Sequence, residues 1–306
     1  MEIYLPIAEM SVSAPLMVLL GFGVGFLSGM FGVGGGFLTT PLLIVTGIPP
    51  AVAVASSATQ VTGSSVTGAI AHWRARALDP KMGLVMTGGG FVGAALGSAL
   101  FRWLTVLGQV DVVIALAYVA LLGTVGSLML KESLEALARR QRGEAPPRPA
   151  RRHHPLVAAL PWPTRFPRSG LYISPLAPAL LGAAVGVLTV LTGVGGGFIL
   201  VPGMLYLLGM SAGTVVGTSL FQILFVSALT TVLHAVQSQT VDIVLAGLLL
   251  VGGVVGARLG TGVAQRLAPE RLRLALALLV LAVAARLFVG LTWRPGSLFV
   301  AEVASA

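Results

Sequence analysis

The 306-residue chain contains no cysteine. That absence excludes disulfides, zinc–thiolate sites, iron–sulfur clusters and a cysteine nucleophile. Only four histidines are present, too few for a metal cage, and no cofactor is implied. Charge is the second shortage. Asp, Glu, Lys and Arg make up 9% of the chain, where a soluble globular protein carries about 25%. A soluble fold of this size could not cover its surface with so little charge. Intrinsic disorder is excluded too, because 56% of the residues are hydrophobic and disorder needs the opposite balance. What remains is an all-α polytopic membrane protein.

Two long runs lack charge altogether. No Asp, Glu, Lys or Arg occurs over the 64 residues from Met10 to Trp73, or over the 73 from Ser169 to Val241. A helix needs about 20 residues to cross the hydrocarbon, so each run holds about three passes. Further apolar segments are Met82–Phe101, Val112–Leu130, Ile243–Ala257 and Leu272–Leu291. The chain thus divides into 1–130, a linker at 131–170, and 171–306, with about five helical segments on each side. The first 13 residues carry Glu2 and Glu9 and no Lys or Arg, the wrong charge for a cleaved signal peptide. The linker holds nine of the 19 basic residues and seven of the 18 prolines. It reads as a short helical extension followed by a Pro-rich connection with no core of its own. Beside a membrane domain its basicity marks a cytoplasmic loop, not a nucleic-acid site.

The two halves repeat. Gly32-Val33-Gly34-Gly35-Gly36-Phe37 returns as Gly193-Val194-Gly195-Gly196-Gly197-Phe198, and Pro41 returns as Pro202. Ser56-Ser57-Ala58-Thr59-Gln60 matches Thr218-Ser219-Leu220-Phe221-Gln222, His72 matches His234, and Gly93 and Gly97 match Gly256 and Gly260. Glycine alone would be weak evidence in membrane helices; Gly, Pro, Ser/Thr, Gln and His in one register indicate internal duplication, a common plan in transporters. If the short segments after each Gly stretch do not cross, the halves are parallel. If they do, each half has five segments and the second is inverted, giving about eight full spans plus two short broken helices. The inverted arrangement puts 16 of the 19 basic residues on the cytoplasmic side, and the positive-inside rule favours it. Ala14–Phe31 spans about 27 Å as a helix and Gly36–Gly47 about 18 Å. Both fall short of a pass of about 30 Å, so the Gly-rich break is expected within the membrane.

The repeated motifs carry the chemistry. A Gly stretch that ends one helix and starts another presents backbone N–H groups and a positive dipole end, which suits an anion without any lysine or arginine. Candidate binding positions are Gly34, Gly35, Gly36, Gly195, Gly196 and Gly197. Close helix packing is the competing reading, and it is preferred for Gly93, Gly97, Gly256 and Gly260. Ser56, Ser57 and Gln60, with Thr218, Ser219 and Gln222, place hydroxyls and amides mid-segment, where lipid provides no partner. They are candidate ligands for a small anion, the amides above all; interhelical hydrogen bonding is the alternative for the serines. His72 and His234 are candidates for proton coupling, although an imidazole at the membrane boundary is the favoured reading. Asp111 and Asp242 fall near span ends, so no acidic residue stands out as a coupling site.

The duplicated G-V-G-G-G-F with its Pro, the S-S-A-T-Q stretch, and the segments Gly89–Gly97 and Gly252–Gly260 resemble the sulfite exporter TauE/SafE family. The resemblance implies a bacterial inner-membrane permease whose partners are the lipid bilayer and a small sulfur-containing anion, sulfite or a sulfoacetate-like sulfonate. Export is favoured, because an inside-negative potential expels anions by about 2.3 kcal/mol per charge per 100 mV. An anion channel, or an uptake permease for another organosulfur anion, stays open, as does the oligomeric state. A membrane serine hydrolase is disfavoured: Ser28 sits in Gly25-Phe26-Leu27-Ser28-Gly29, not in a nucleophile motif.

Overall fold

The computed structural model describes residues 2–31, 35–142, 160–264 and 269–292. Gly34 and the middle of the Pro-rich linker lie outside them. Among the described residues ten α-helices follow in order: α1 (Ala14–Phe31), α2 (Gly36–Val45), α3 (Pro50–Arg74), α4 (Pro80–Val106), α5 (Val110–Gln141), α6 (Leu176–Thr192), α7 (Gly197–Pro202), α8 (Ala212–Leu233), α9 (Ile243–Ala264) and α10 (Pro269–Thr292). α7 continues as a π-helical turn, Gly203–Leu207, and α8 as another, His234–Ser238. The helical extension read after Lys131 is the C-terminal end of α5.

Local signals explain most boundaries. Pro50 opens α3 and Pro80 opens α4, where a missing N–H costs nothing and the fixed φ fits. α6 stops at Gly193, whose φ of +68° is left-handed, the usual glycine helix stop. Five helices among the described residues are long and apolar enough to cross a membrane: Pro80–Val106, Val110–Arg139, Gly213–Ser238, Ile243–Gly260 and Leu274–Thr292. Ala14–Met30, Gly36–Val45, Leu176–Thr192 and Gly197–Leu207 are shorter apolar helices. α3 is long enough but diluted by its serines, threonines and Gln60.

Two short hairpins were not foreseen. β1 (Glu2–Leu5) pairs antiparallel with β2 (Met10–Ser13) ahead of α1, and β3 (Thr164–Phe166) with β4 (Leu171–Ile173) ahead of α6. They are equivalent in the repeat. Leu5 faces Met10 across a Pro6–Glu9 turn, as Phe166 faces Leu171 across a Pro167–Gly170 turn. Glu9 and Gly170 both have positive φ. Leu5 and Phe166 are buried, so the end of the linker does enter a core. Strands of three or four residues with no Asn-Gly or Asp-Gly turn leave almost no sequence signal.

The halves interlock. The largest helix interfaces are α1 with α9, α4 with α6, α5 with α10 and α3 with α8. The first helix of each half thus packs on the fourth helix of the other. In α1/α9 the glycines Gly21, Gly25 and Gly29 lie on the backbones of Leu249, Gly253 and Ala257. In α4/α6, Gly89, Gly93 and Gly97 lie on Ala179, Ala183 and Val187. Both pairs run in the same direction. A Cβ at Gly93 would collide with the Ala183 carbonyl, so these glycines exist to let backbones touch. Equivalent helices α3 and α8 instead run in opposite directions: Thr59 meets Thr231, Gly68 meets Leu220, and Trp73 stacks with Phe221.

Candidate functional site

The two Gly stretches meet where α3 and α8 cross. Phe37 and Phe198, each the residue after its Gly-Gly-Gly, stack with centroids 4.8 Å apart and planes 5° apart. Gly36 lies against the other stretch, where a Cβ would approach the Gly193 and Val194 carbonyls to 2.6 and 2.8 Å. Gly195 is wedged between the equivalent side chains Val61 and Ile223, with Ser227 Oγ 3.3 Å from the place of its absent Cβ. Gly195 and Gly196 have φ of +73° and +76°, a region side chains rarely enter. Thr40 and Tyr118 both donate to the Thr192 carbonyl, fastening the end of α6 beside this junction. Residues 35–41 and 191–198 are buried throughout.

The Gln60 amide stands next to the first stretch. Gln60 Oε1 accepts from Thr39 Oγ1 at 2.8 Å, and Nε2 points to the Leu249 carbonyl at 3.4 Å. Thr39 Oγ1 is also 3.1 Å from the Gly35 carbonyl, so the first Gly stretch, α2, α3 and α9 share one polar chain. Gln222 is fully buried and neither amide atom has a hydrogen-bond partner. Ser57 Oγ is likewise buried without a partner, whereas Ser219 donates back to Val216 O at 2.8 Å.

Ser56 and Thr218 make a different contact. Ser56 Oγ accepts from the backbone N–H of Asp242 at 3.3 Å, and Thr218 Oγ1 from that of Asp79 at 3.1 Å. Asp79 and Asp242 are buried and cap α4 and α9. Asp79 Oδ1 accepts from Met82 N–H at 3.2 Å and Asp242 Oδ1 from Leu245 N–H at 3.0 Å. The second oxygen of each holds the turn of the opposite half's hairpin. Asp79 Oδ2 accepts from Ser169 N–H at 2.9 Å and its hydroxyl at 2.6 Å; Asp242 Oδ2 accepts from Ile7 N–H at 3.1 Å. Sequence reading passed over Asp79 and set Asp242 at a span end. The dipeptide Asp79-Pro80 was a helix-start signal that could have exposed the first.

The histidines part company. His234 is buried, its Nε2 3.0 Å from the Val190 carbonyl and its ring edge-on to Phe101. His72 is half-buried, with Nδ1 2.9 Å from its own helix at Gly68 O. Among the described residues no three His, Asp or Glu side chains come together as a metal site.

The comparisons with known proteins agree with a transporter. The model of the family "Sulfite exporter TauE/SafE" matches residues 17–287. A probable membrane transporter protein of Xylella fastidiosa is 32% identical over 299 residues, covering 94% of this chain and 98% of the relative. The probable membrane transporter protein YjnA of Bacillus subtilis is 28% identical over 275 residues, covering 89% and 97%. No solved structure matches significantly. A family match across both repeats, on a chain whose Gly stretches converge between interlocked apolar helices, places this protein in the TauE/SafE sulfite exporter family of membrane transporters.

Proposed function

We propose that the chain is a secondary transporter that exports sulfite, or a sulfoacetate-like sulfonate, across the bacterial inner membrane. The observation that carries this reading is the junction of the two Gly stretches: the left-handed turns at Gly195 and Gly196, the Thr39 and Ser227 hydroxyls and the Gln60 amide come together there between the halves, with no lysine or arginine among them, and Gln222 is buried on the neighbouring α8. Gly35, Gly36 and Gly195–Gly197 supply N–H donors there, and the side-chain donors are drawn from the set Gln60, Gln222, Ser57 and Ser219. Neutral donors hold an anion strongly enough to select it and weakly enough to release it. The membrane potential then drives the anion outward.

In this reading the halves are inverted repeats, with α2 and α7 as short broken helices that meet inside the membrane. The opposite directions of α3 and α8 support it. Lys81 Nζ bonds to Arg165 O at 2.8 Å, and Arg168 to Leu78 O at 3.0 Å. These contacts gather the start of α4 and the end of the linker, the cytoplasmic face by the positive-inside rule. Burial of residues 35–41 and 191–198 favours a carrier in an occluded state over an open channel. The test is sulfite flux in proteoliposomes under an imposed potential of either sign, with sulfoacetate and sulfate as competitors. Saturable, potential-driven flux is expected. Absence of flux for sulfite and for sulfonates in correctly inserted protein would remove the function.

A further inference from the structure

Gln60 on α3 and Gln222 on α8 occupy equivalent positions but have unequal surroundings. Each sits over a matched glycine. A Cβ at Gly253 would come within 2.9 Å of Gln60 Nε2, and one at Gly90 within 3.0 Å of Gln222 Nε2. Gln60 is nonetheless engaged, by the Thr39 hydroxyl on one side and the Leu249 carbonyl on the other. The residue at the Thr39 position in the second half is Leu200, fully buried and unable to donate. Gln222 is therefore left with both amide atoms buried and unpartnered, although it lies as deep as Gln60.

A buried amide without a partner is rare in native proteins, and it marks a place where an occupant supplies the missing bonds. The duplication makes the reason specific. The first half shows that this fold can satisfy the amide with a threonine hydroxyl on one side and a main-chain carbonyl on the other. The second half has a leucine in place of that threonine.

We propose that the site is one-sided: the transported oxyanion binds Gln222, while Gln60 is a positioning residue that ties α2 to α3 and α9. Gln222 Nε2 donates to an oxygen of the anion. Oε1 accepts from a protonated oxygen of the same anion or from a water that travels with it. This inference rests on the junction as the transport site and says which half holds the substrate.

The experiment exchanges the partners. Leu200→Thr gives Gln222 the hydroxyl that Gln60 has; Thr39→Val removes it from Gln60. Sulfite KM in proteoliposomes and thermal stability in detergent are measured for both, beside Gln222→Ala. Leu200→Thr is expected to weaken sulfite binding about tenfold, the factor that one hydrogen bond to a charged ligand commands. Gln222→Ala should weaken it as much. Thr39→Val should lower the melting temperature and leave KM within about twofold of wild type. Wild-type KM in Gln222→Ala overturns the one-sided site, as does an equal loss in Thr39→Val, and both leave the transporter standing. If Leu200→Thr does not fold, the contrast between Gln222→Ala and Thr39→Val decides. Loss of wild-type flux together with absence of any sulfite-induced thermal stabilisation overturns site and transporter alike.

Discussion

Phe37 and Phe198, 161 positions apart in the sequence, lie ring on ring with centroids 4.8 Å apart. Each follows its own Gly-Gly-Gly, so the contact brings the two Gly stretches to one point. Both rings are buried, in the cluster that also holds Tyr118, Phe101 and Val194. Truncating either ring to alanine should cost about 3–5 kcal/mol. A double-mutant cycle read by thermal unfolding should show coupling of about 0.5–1.5 kcal/mol. Additive losses would mean that the rings pack independently.

The interlocking of α1 with α9 and of α4 with α6 depends on backbone contact. Gly93→Leu and Gly256→Leu drive a side chain into the backbones of Ala183 and Phe22. Each should destabilise by about 1–3 kcal/mol or prevent assembly. Gly88 and Gly247 have nothing within 4 Å, so Gly88→Ala and Gly247→Ala should be neutral. Yield and monodispersity after detergent extraction report the difference.

Asp79 and Asp242 hold the interlocked halves from opposite ends. Each joins a helix start, a hydroxyl on the other half's third helix and a hairpin turn. Replacing either with alanine strands buried N–H groups and should cost about 2 kcal/mol or more. Asn restores only part of this, because its NH2 faces donors where Asp Oδ2 accepted. Melting temperatures should rank wild type above Asp79→Asn above Asp79→Ala. Equal values for Asn and wild type would show that the second oxygen carries nothing.

The absence of native cysteine makes topology directly measurable. Glu9 and Arg168 lie in equivalent hairpin turns, and both are exposed. Inverted halves place those turns on opposite faces of the membrane. Glu9→Cys should react with a membrane-impermeant maleimide from outside intact cells, and Arg168→Cys only after permeabilisation. Labelling of both from one side would require parallel halves.

Much of this protein was legible in its sequence. Charge-free runs gave helices in a membrane, because lipid accepts almost nothing else. The duplicated motifs aligned the Gly stretches, the glutamines and the histidines, and small-xxx-small spacing marked the helix contacts at Gly93, Gly97, Gly256 and Gly260. These are local patterns, and local patterns survive without coordinates. Only the tertiary structure decided which surfaces meet. Nothing in either half says that its first helix packs on the other half's fourth. Hairpins of three or four residues gain their order from the core that receives Leu5 and Phe166, not from their own propensity. Gln60 and Gln222 are twins in register. They differ because Thr39, 21 residues before Gln60, donates to it, whereas Leu200, 22 residues before Gln222, has no hydroxyl to give. Hydrogen-bond satisfaction is a property of neighbours in space, so the inequality on which the proposed site rests exists only once the chain is folded.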